Sequence, residues 1–369
     1  MTSVSPSDFG ATTVGVRALC RFALLVAFAL TAYGSNDMAA AEEAVSITIP
    51  SRTIPVPNTV SSALQNLIGQ PPSGASSRIP KSAAEWKALV AATASRDTLR
   101  LVGLSDKFGV TIAARVVGGV HCYLVTPKTV EQRNRDRLLI GVHGGGFIFG
   151  AGQSGLLEAI QMAGLTQLKV LAVDYRMPPD YPFPAAMDDV MALWREVVKS
   201  TKPASIGMFG TSAGGGLVLT FIQRAKKEAL PLPGAIMAGS PASDLSKTGD
   251  SYYTNAGVDN RLVGYEGLLE SLVKLYANGR DLKDPLLSPI YGEFSGFPPT
   301  FLISGTRDLF LSNTVRVQQK LLQAGVPALL EVEESQSHAD YLLAANADAP
   351  ESIALYAHIA DFFDAHLER

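Results

Sequence analysis

Gly210-Thr211-Ser212-Ala213-Gly214 places a serine between small residues in the form G-x-S-x-G. The pentapeptide stands where an apolar run with strand character (Ile206, Met208, Phe209) gives way to a run with helix character. A serine at such a corner sits on a sharp strand-to-helix turn that exposes its hydroxyl. The flanking glycines remove Cβ atoms that would crowd the turn. Alone, the pattern also fits a plain glycine-rich loop, because Gly, Ser and Ala are common. A nucleophilic serine needs three further things. They are a base to take its proton, an acid to orient that base, and donors for the oxygen that gains charge on the attacked carbonyl.

Donors are suggested upstream. His143-Gly144-Gly145-Gly146-Phe147 directly follows the apolar run Leu138–Val142. Consecutive glycines let backbone N–H groups approach a developing oxyanion, with Gly145, Gly146 and Ala213 as the expected donors. The bland alternative is an ordinary glycine-rich loop. The base is sought among five histidines. His121 lies in an early strand and His143 in the glycine loop. His358 and His366 fall on the terminal helix, where packing or surface roles suffice. His338, in Ser335-Gln336-Ser337-His338-Ala339, follows the last strand-like run. The carboxyl end of a strand is where open α/β sheets carry functional groups.

His143–Phe147 together with Gly210–Gly215 resembles the hormone-sensitive-lipase-like branch of the α/β-hydrolases, bacterial esterase family IV. Asp174-Tyr175-Arg176, then Pro182-Phe183-Pro184-Ala185-Ala186 and Asp188-Asp189, is similar to that family's D-Y-R…P-F-P-A-A…D-D stretch. The likeness covers about residues 110–369. The family often has Asp where Thr211 stands, and Thr211 fits its G-T-S-A-G subgroup. It often has Gly where Ala339 stands, a departure of little consequence for the imidazole. The resemblance implies an α/β-hydrolase fold: a mostly parallel central sheet, helices on both faces and a helical cap. It implies that His143 holds the glycine loop in place. In this fold the acid falls between serine and histidine. Asp308, in Gly305-Thr306-Arg307-Asp308-Leu309, follows the run Thr300–Ile303 and looks like the family's G-x-x-D segment. Asp244 is its strongest rival; Asp281 and Asp284 follow no core strand. Asp174 and Arg176 are expected to pair and brace the sheet edge.

The elements that must position these residues read as follows. Val110–Val117 and Val120–Val125 form two strands joined at Gly118-Gly119, a dipeptide suited to a tight hairpin. Strands at Leu138–Val142, Val170–Val173, Ile206–Phe209, Ala235–Ala238, Thr300–Ile303 and Ala328–Val332 then alternate with helices. The helices are Ala185–Val198, Gly216–Lys227, Val315–Ala324 and Ser352–Leu367. That alternation argues a mostly parallel sheet covered on both faces. Residues 42–80 are rich in Pro, Ser and Thr and read as an extended lead-in. Ser82 and Glu85 fit a capping box ahead of a helix near Ala83–Ala94. About 246–287 breaks the alternation with a helical apolar run (Leu268, Leu269, Leu272, Val273, Leu275, Tyr276), where a lid could form or a peripheral hairpin could sit. The expected organisation is a signal peptide over 1–41, a lead-in and cap helix over 42–105, and a catalytic domain over 106–369.

The 369 residues are 47% hydrophobic and 18% charged with net charge −3, which leaves no basic footprint for nucleic acid. Arg17 and Arg21 precede the apolar run Phe22–Ala32, and Ala39-Ala40-Ala41 precedes Glu42-Glu43. This is the layout of a cleavable export signal, so a periplasmic or secreted protein with no membrane in its mature form is expected. The rival reading is an uncleaved anchor. Cys20 lies ahead of the apolar run, so it is not a lipid-modified cysteine. Cys122 is left alone, and it reads as a small buried residue. Gly150, Gly152 and Gly155 fit G-x-G-x-x-G, but the His143–Phe147 loop separates them from the strand that a dinucleotide fingerprint should follow. No phosphate-loop lysine, H-E-x-x-H or tight metal-ligand spacing occurs, so no cofactor and no metal are expected.

These readings converge on an exported carboxylesterase acting on small to medium acyl esters. Ser212 is the expected nucleophile, His338 the base and Asp308 the orienting acid. A lactone hydrolase with the same residues, an acyltransferase, and a non-catalytic binding protein on the same fold are the alternatives. The resemblance also allows a homodimer.

Overall fold

The computed structural model describes residues 47–72 and 78–369. The chain divides into two units, 1–53 and 54–369. In the first, the described residues 47–53 are exposed and carry neither helix nor strand. The expected signal peptide and Cys20 lie outside the described residues. The second unit carries the chemistry.

Its strands are β1 (Val110–Val117), β2 (Val120–Pro127), β3 (Leu138–Val142), β4 (Lys169–Val173), β5 (Ile206–Thr211), β6 (Ala235–Gly239), β7 (Thr300–Gly305) and β8 (Ala328–Glu333). They form one sheet in the order β1-β2-β4-β3-β5-β6-β7-β8. β2 runs antiparallel to β1 and β4, and the remaining pairs are parallel. Gly118 and Gly119 close the β1–β2 hairpin with φ of 58° and 80°. A two-residue turn with both φ positive matches the strand twist, which is why glycines stand there.

The helices are α1 (Ser62–Ile68), α2 (Ala83–Arg100), α3 (Leu104–Lys107), α4 (Leu157–Thr166), α5 (Ala185–Val197), α6 (Ala213–Lys227), α7 (Ser251–Thr254), α8 (Leu268–Ala277), α9 (Leu311–Gln323), α10 (Asp340–Asn346) and α11 (Pro350–His366). β5, β6 and β7 are buried along their whole length. Strands buried on both faces read as continuous apolar runs, which is how they stand in the sequence. Alternate residues serve two cores. Ile140, Val142 and Met208 face the layer of Met187, Leu217, Phe221 and Val317, from α5, α6 and α9. Leu139, Phe209 and Phe301 face Ile160, Ala163, Ile359 and Phe363, from α4 and α11. The α/β-hydrolase fold expected from the sequence is the fold observed.

Several boundaries differ from expectation. α6 begins at Ala213 and α9 at Leu311, each earlier than its apolar run, because both start directly at a site loop. The lead-in is not extended throughout. α1 forms inside it, with the Ser61 side chain accepting from the Leu64 N–H and Leu64 and Ile68 buried against Ala344 and Ala349. Ser82 does cap α2 by accepting from the Glu85 N–H at 3.2 Å. The Glu85 carboxylate takes the Lys81 N–H instead of closing the box. Asp174 and Arg176 do not pair. Arg176 forks onto Asp189, with Nη2 to Oδ1 at 2.7 Å, and Asp174 accepts the Gly152 N–H at 2.9 Å. Asp189 lies one helical turn inside α5 and takes the whole fork, whereas Asp174 is turned to the Gly152 backbone. Cys122 is buried and its thiol is pushed up to about 11 by burial, as an inert residue should be.

Candidate active site

The strand order reverses direction around β3, so a crevice opens beyond the carboxyl ends of β3 and β5, the place where open α/β sheets bind ligands. Every sequence-selected residue of the site lies at that end, on a loop or, for Ala213, at the first position of α6. β3 ends at Val142 and delivers His143–Phe147. β5 ends at Thr211 and delivers Ser212. β7 delivers Asp308, and β8 delivers His338.

Ser212 has φ 60° and ψ −121°, a conformation that an L residue holds only when its surroundings enforce it. Its N–H donates to Gly239 O at 2.8 Å, and its carbonyl accepts from Gly216 and from Ala242. α6 starts immediately after it. Gly214 must lack a side chain, since a Cβ there would lie 1.9 Å from Val142 O. The turn therefore packs directly on the strand that carries the glycine loop. That loop is pinned by His143. The His143 ring stacks on Tyr175 at 4.1 Å, its Nδ1 contacts Gly144 O at 2.8 Å, and Tyr175 Oη donates to the His143 carbonyl at 2.8 Å. Gly145 and Gly146 line the same cavity as Ser212.

His338 is 7% exposed and Asp308 is 0% exposed. His338 Nδ1 lies 3.0 Å from Asp308 Oδ1. Asp308 also accepts from Ser304 Oγ at 2.8 Å and from the Phe310 N–H at 2.8 Å. Burial works to raise the Asp308 carboxyl, but His338, the Ser240 side chain and the Phe310 N–H outweigh it and hold it below its ordinary range. Burial works to lower the His338 imidazole, but Asp308 and then Asp259 and Asp340 outweigh it and raise it. His338 Nε2 is buried and has no hydrogen-bond partner among the described residues. Asp244, the rival acid, is spent elsewhere, on Ser246, Thr248 and Arg316. His121 lies on β2, and His358 and His366 on α11, as expected.

The cavity has a volume of ≈ 390 Å³. Ser212, His338 and the glycine loop meet Leu262, Leu268, Leu269 and Leu272 of the 246–287 stretch and Asp97 of α2 there. α2 and α8 touch above the glycine loop, where Trp86 packs on Ile148 and Leu272. Among the described residues, no Lys or Arg lines the cavity.

Two acids escaped the sequence reading. Glu158, on α4, lines the cavity and is 5% exposed. Its Oε1 accepts from Thr211 Oγ1 at 2.6 Å, and Tyr341 Oη contacts both. Burial pushes its carboxyl up to about 7 against those hydrogen bonds. Asp259, in the 246–287 stretch, is 0% exposed and touches the loops of both Asp308 and His338. Neither stands at a strand end, so position along the chain gave no signal for them.

A family model described as the alpha/beta hydrolase fold matches residues 139–342, which include Ser212, Asp308 and His338. An acetyl-hydrolase of Streptomyces hygroscopicus is 32% identical over 213 residues, covering 57% of this chain and 70% of that protein. An esterase of Acinetobacter venetianus is 28% identical over 232 residues, covering 63% and 76%. Among solved structures, an esterase superposes with a TM-score of 0.84 at 42% identity, covering 88% of this chain and 99% of that one. A hormone-sensitive lipase from a metagenome library superposes at 0.71 with 26% identity, covering 83% and 100%. With the sheet order, the strand-end loops and these relatives in agreement, the chain belongs to the α/β-hydrolase family, in its hormone-sensitive-lipase-like branch, and is an esterase.

Proposed function

We propose that the chain is an exported carboxylesterase that cleaves small to medium acyl esters through an acyl-enzyme on Ser212. One observation carries the reading. The His338 imidazole is held at Nδ1 by buried Asp308, and its partnerless Nε2 lies buried at the cavity that Ser212 lines. In unliganded enzymes the nucleophile–base hydrogen bond is commonly long and tightens on binding.

Nε2 takes the Ser212 proton as Oγ adds to the ester carbonyl. The N–H groups of Gly145, Gly146 and Ala213 receive the oxyanion, each such donor being worth roughly 2.7–4 kcal/mol of barrier. Ala213 opens α6, so the helix dipole adds to its donor. The imidazolium gives its proton to the leaving alkoxide, and Asp308 stabilises the charge meanwhile. Water, deprotonated by His338, then cleaves the acyl-enzyme to carboxylic acid and free Ser212. An apolar cavity without cations favours neutral esters over anionic ones. α2 and the 246–287 stretch act as its cap.

Ser212→Ala should abolish turnover of p-nitrophenyl butyrate while leaving the melting temperature in place; retained turnover would sink the assignment. The N-terminal pattern supports export to the periplasm or medium. N-terminal sequencing of exported protein should then begin at Glu42, and an intact N-terminus would refute cleavage there.

A further inference from the structure

Asp259 is a fully buried carboxylate in the stretch that roofs the cavity, yet every hydrogen bond it accepts comes from backbone. Oδ1 accepts from the N–H of Arg261 at 2.8 Å and of Leu262 at 3.0 Å. Oδ2 accepts from the N–H of Leu309 at 2.8 Å and of His338 at 3.3 Å. Leu309 follows Asp308 directly. A single oxygen is therefore shared between the two loops that carry the imidazole and its acid. A carboxylate offers about four acceptor sites, and all four are used. An amide in its place would keep one oxygen only.

The neighbouring residues extend the grip. The Asn260 N–H donates to Ser337 Oγ at 3.2 Å. Arg261 Nε donates to Asp340 Oδ1 at 2.6 Å, and Asp340 Oδ2 accepts the Ser337 N–H at 2.9 Å. Four groups thus bear on His338. They are Asp308 from the loop after β7, Asp259 from the roof, Asp340 at the start of α10 with Arg261 paired to it, and the edge-on Phe310 ring at 4.8 Å.

We propose that Asp259 is a positioning residue for ester hydrolysis: by bridging the loops after β7 and β8 it sets His338 against Ser212. This rests on His338 being the base. Burial and then Asp308 raise the Asp259 carboxyl, while His338 and the backbone donors of the bridge work to keep its charge. Two of its four donors, the N–H groups of Leu309 and His338, would otherwise be buried unpaired. Its charge adds to that of Asp308 in favouring the imidazolium.

The test compares Asp259→Asn, Asp259→Ser, Asp259→Glu and His338→Ala with wild type on p-nitrophenyl butyrate across pH, with melting curves for each. Asp259→Asn should lower kcat roughly tenfold to a hundredfold, the cost of a small misplacement. KM should stay within about twofold, since ground-state contacts are untouched. With one negative charge removed, the acid limb of kcat/KM should move to lower pH, which a merely structural role would not cause. Asp259→Glu keeps the charge but displaces the oxygens, so kcat should fall with the limb unmoved. A folded Asp259→Asn with wild-type kcat and an unmoved limb overturns the proposal. If the uncharged variants do not fold, Asp259→Glu decides, and wild-type kcat there overturns it. An active His338→Ala would instead remove the base on which the proposal stands.

Discussion

Asp308 and Glu158 are buried carboxyls near one cavity, yet they hold protons in opposite senses. Asp308 is held down by His338 and its donors, and Glu158 is pushed up to about 7 by burial. For Glu158 the folded value lies above the ordinary 4.5. Its contribution to stability is therefore fully present below pH 4.5 and is lost as pH rises through about 7. Glu158→Gln mimics the neutral form. Its melting temperature should match wild type in acid and exceed it increasingly up to about pH 7; a constant difference would refute the buried neutral acid. His338 is raised, so the acid limb of kcat/KM should lie above the ordinary imidazole value of 6.5. Asp308→Asn should move that limb down and lower kcat by about 10⁴, the cost of the wrong tautomer. Ser212, Asp308 and His338 were legible because each follows an apolar run within a few residues. Asp259 and Glu158 were not, because the partners that give them meaning, His338 and Thr211, are 79 and 53 residues away.

Elements were legible in proportion to their burial pattern. Every strand of the sheet stood out as a short apolar run, and α5 and α11 as periodic ones. α4 did not, since Glu158, Gln161 and Thr166 interrupt its apolar residues although all three are buried. α1 is two turns long, too short for a period to register. The corner at Ser212 makes a sharp prediction of its own. Gly214→Ala drives a Cβ against Val142 O, and backbone cannot yield there as a side chain can. The loss should be on the order of 3 kcal/mol in urea denaturation, the upper range for overpacking. α2 predicts the opposite behaviour. Trp86 anchors it in a small cluster apart from both main cores. Trp86→Ala should raise KM for longer acyl esters severalfold while the denaturation midpoint of the main core moves little.

Within residues 54–369 a firmly packed floor carries a roof in two parts: α8 enters the main core through Leu269, Val273 and Tyr276, whereas α2 is lightly held. Sheet, α4, α5, α6, α9 and α11 share two large cores, whereas α2 rests on the glycine loop and α8. The chain has two tryptophans, Trp86 in the roof contact and Trp194 fully buried in the main core. Sub-global opening starts where apolar contacts are few. Wild-type fluorescence in rising urea should thus show an early Trp86 phase that Trp86→Phe removes, leaving one late transition from Trp194. A single coincident transition would show the roof and floor to unfold together. Both roof helices were legible, α2 from its cap at Ser82 and α8 from its apolar run, but where each meets the floor was not, because those contacts join segments far apart in the chain.

Two carbonyls at the end of α1, those of Leu67 and Ile68, and that of Gln70 just beyond it accept from Asn260 Nδ2 at 3.0 to 3.3 Å. Asn260 follows the acid that spans both reaction loops. α1 is therefore a doorstop wedged against that stretch from 190 residues away in the chain. Anyone trimming the gene for expression, or joining a partner to its front, should cut before Val60. A chain started at Ile79 would keep all of residues 139–342, the stretch shared with the family, and still lose its wedge.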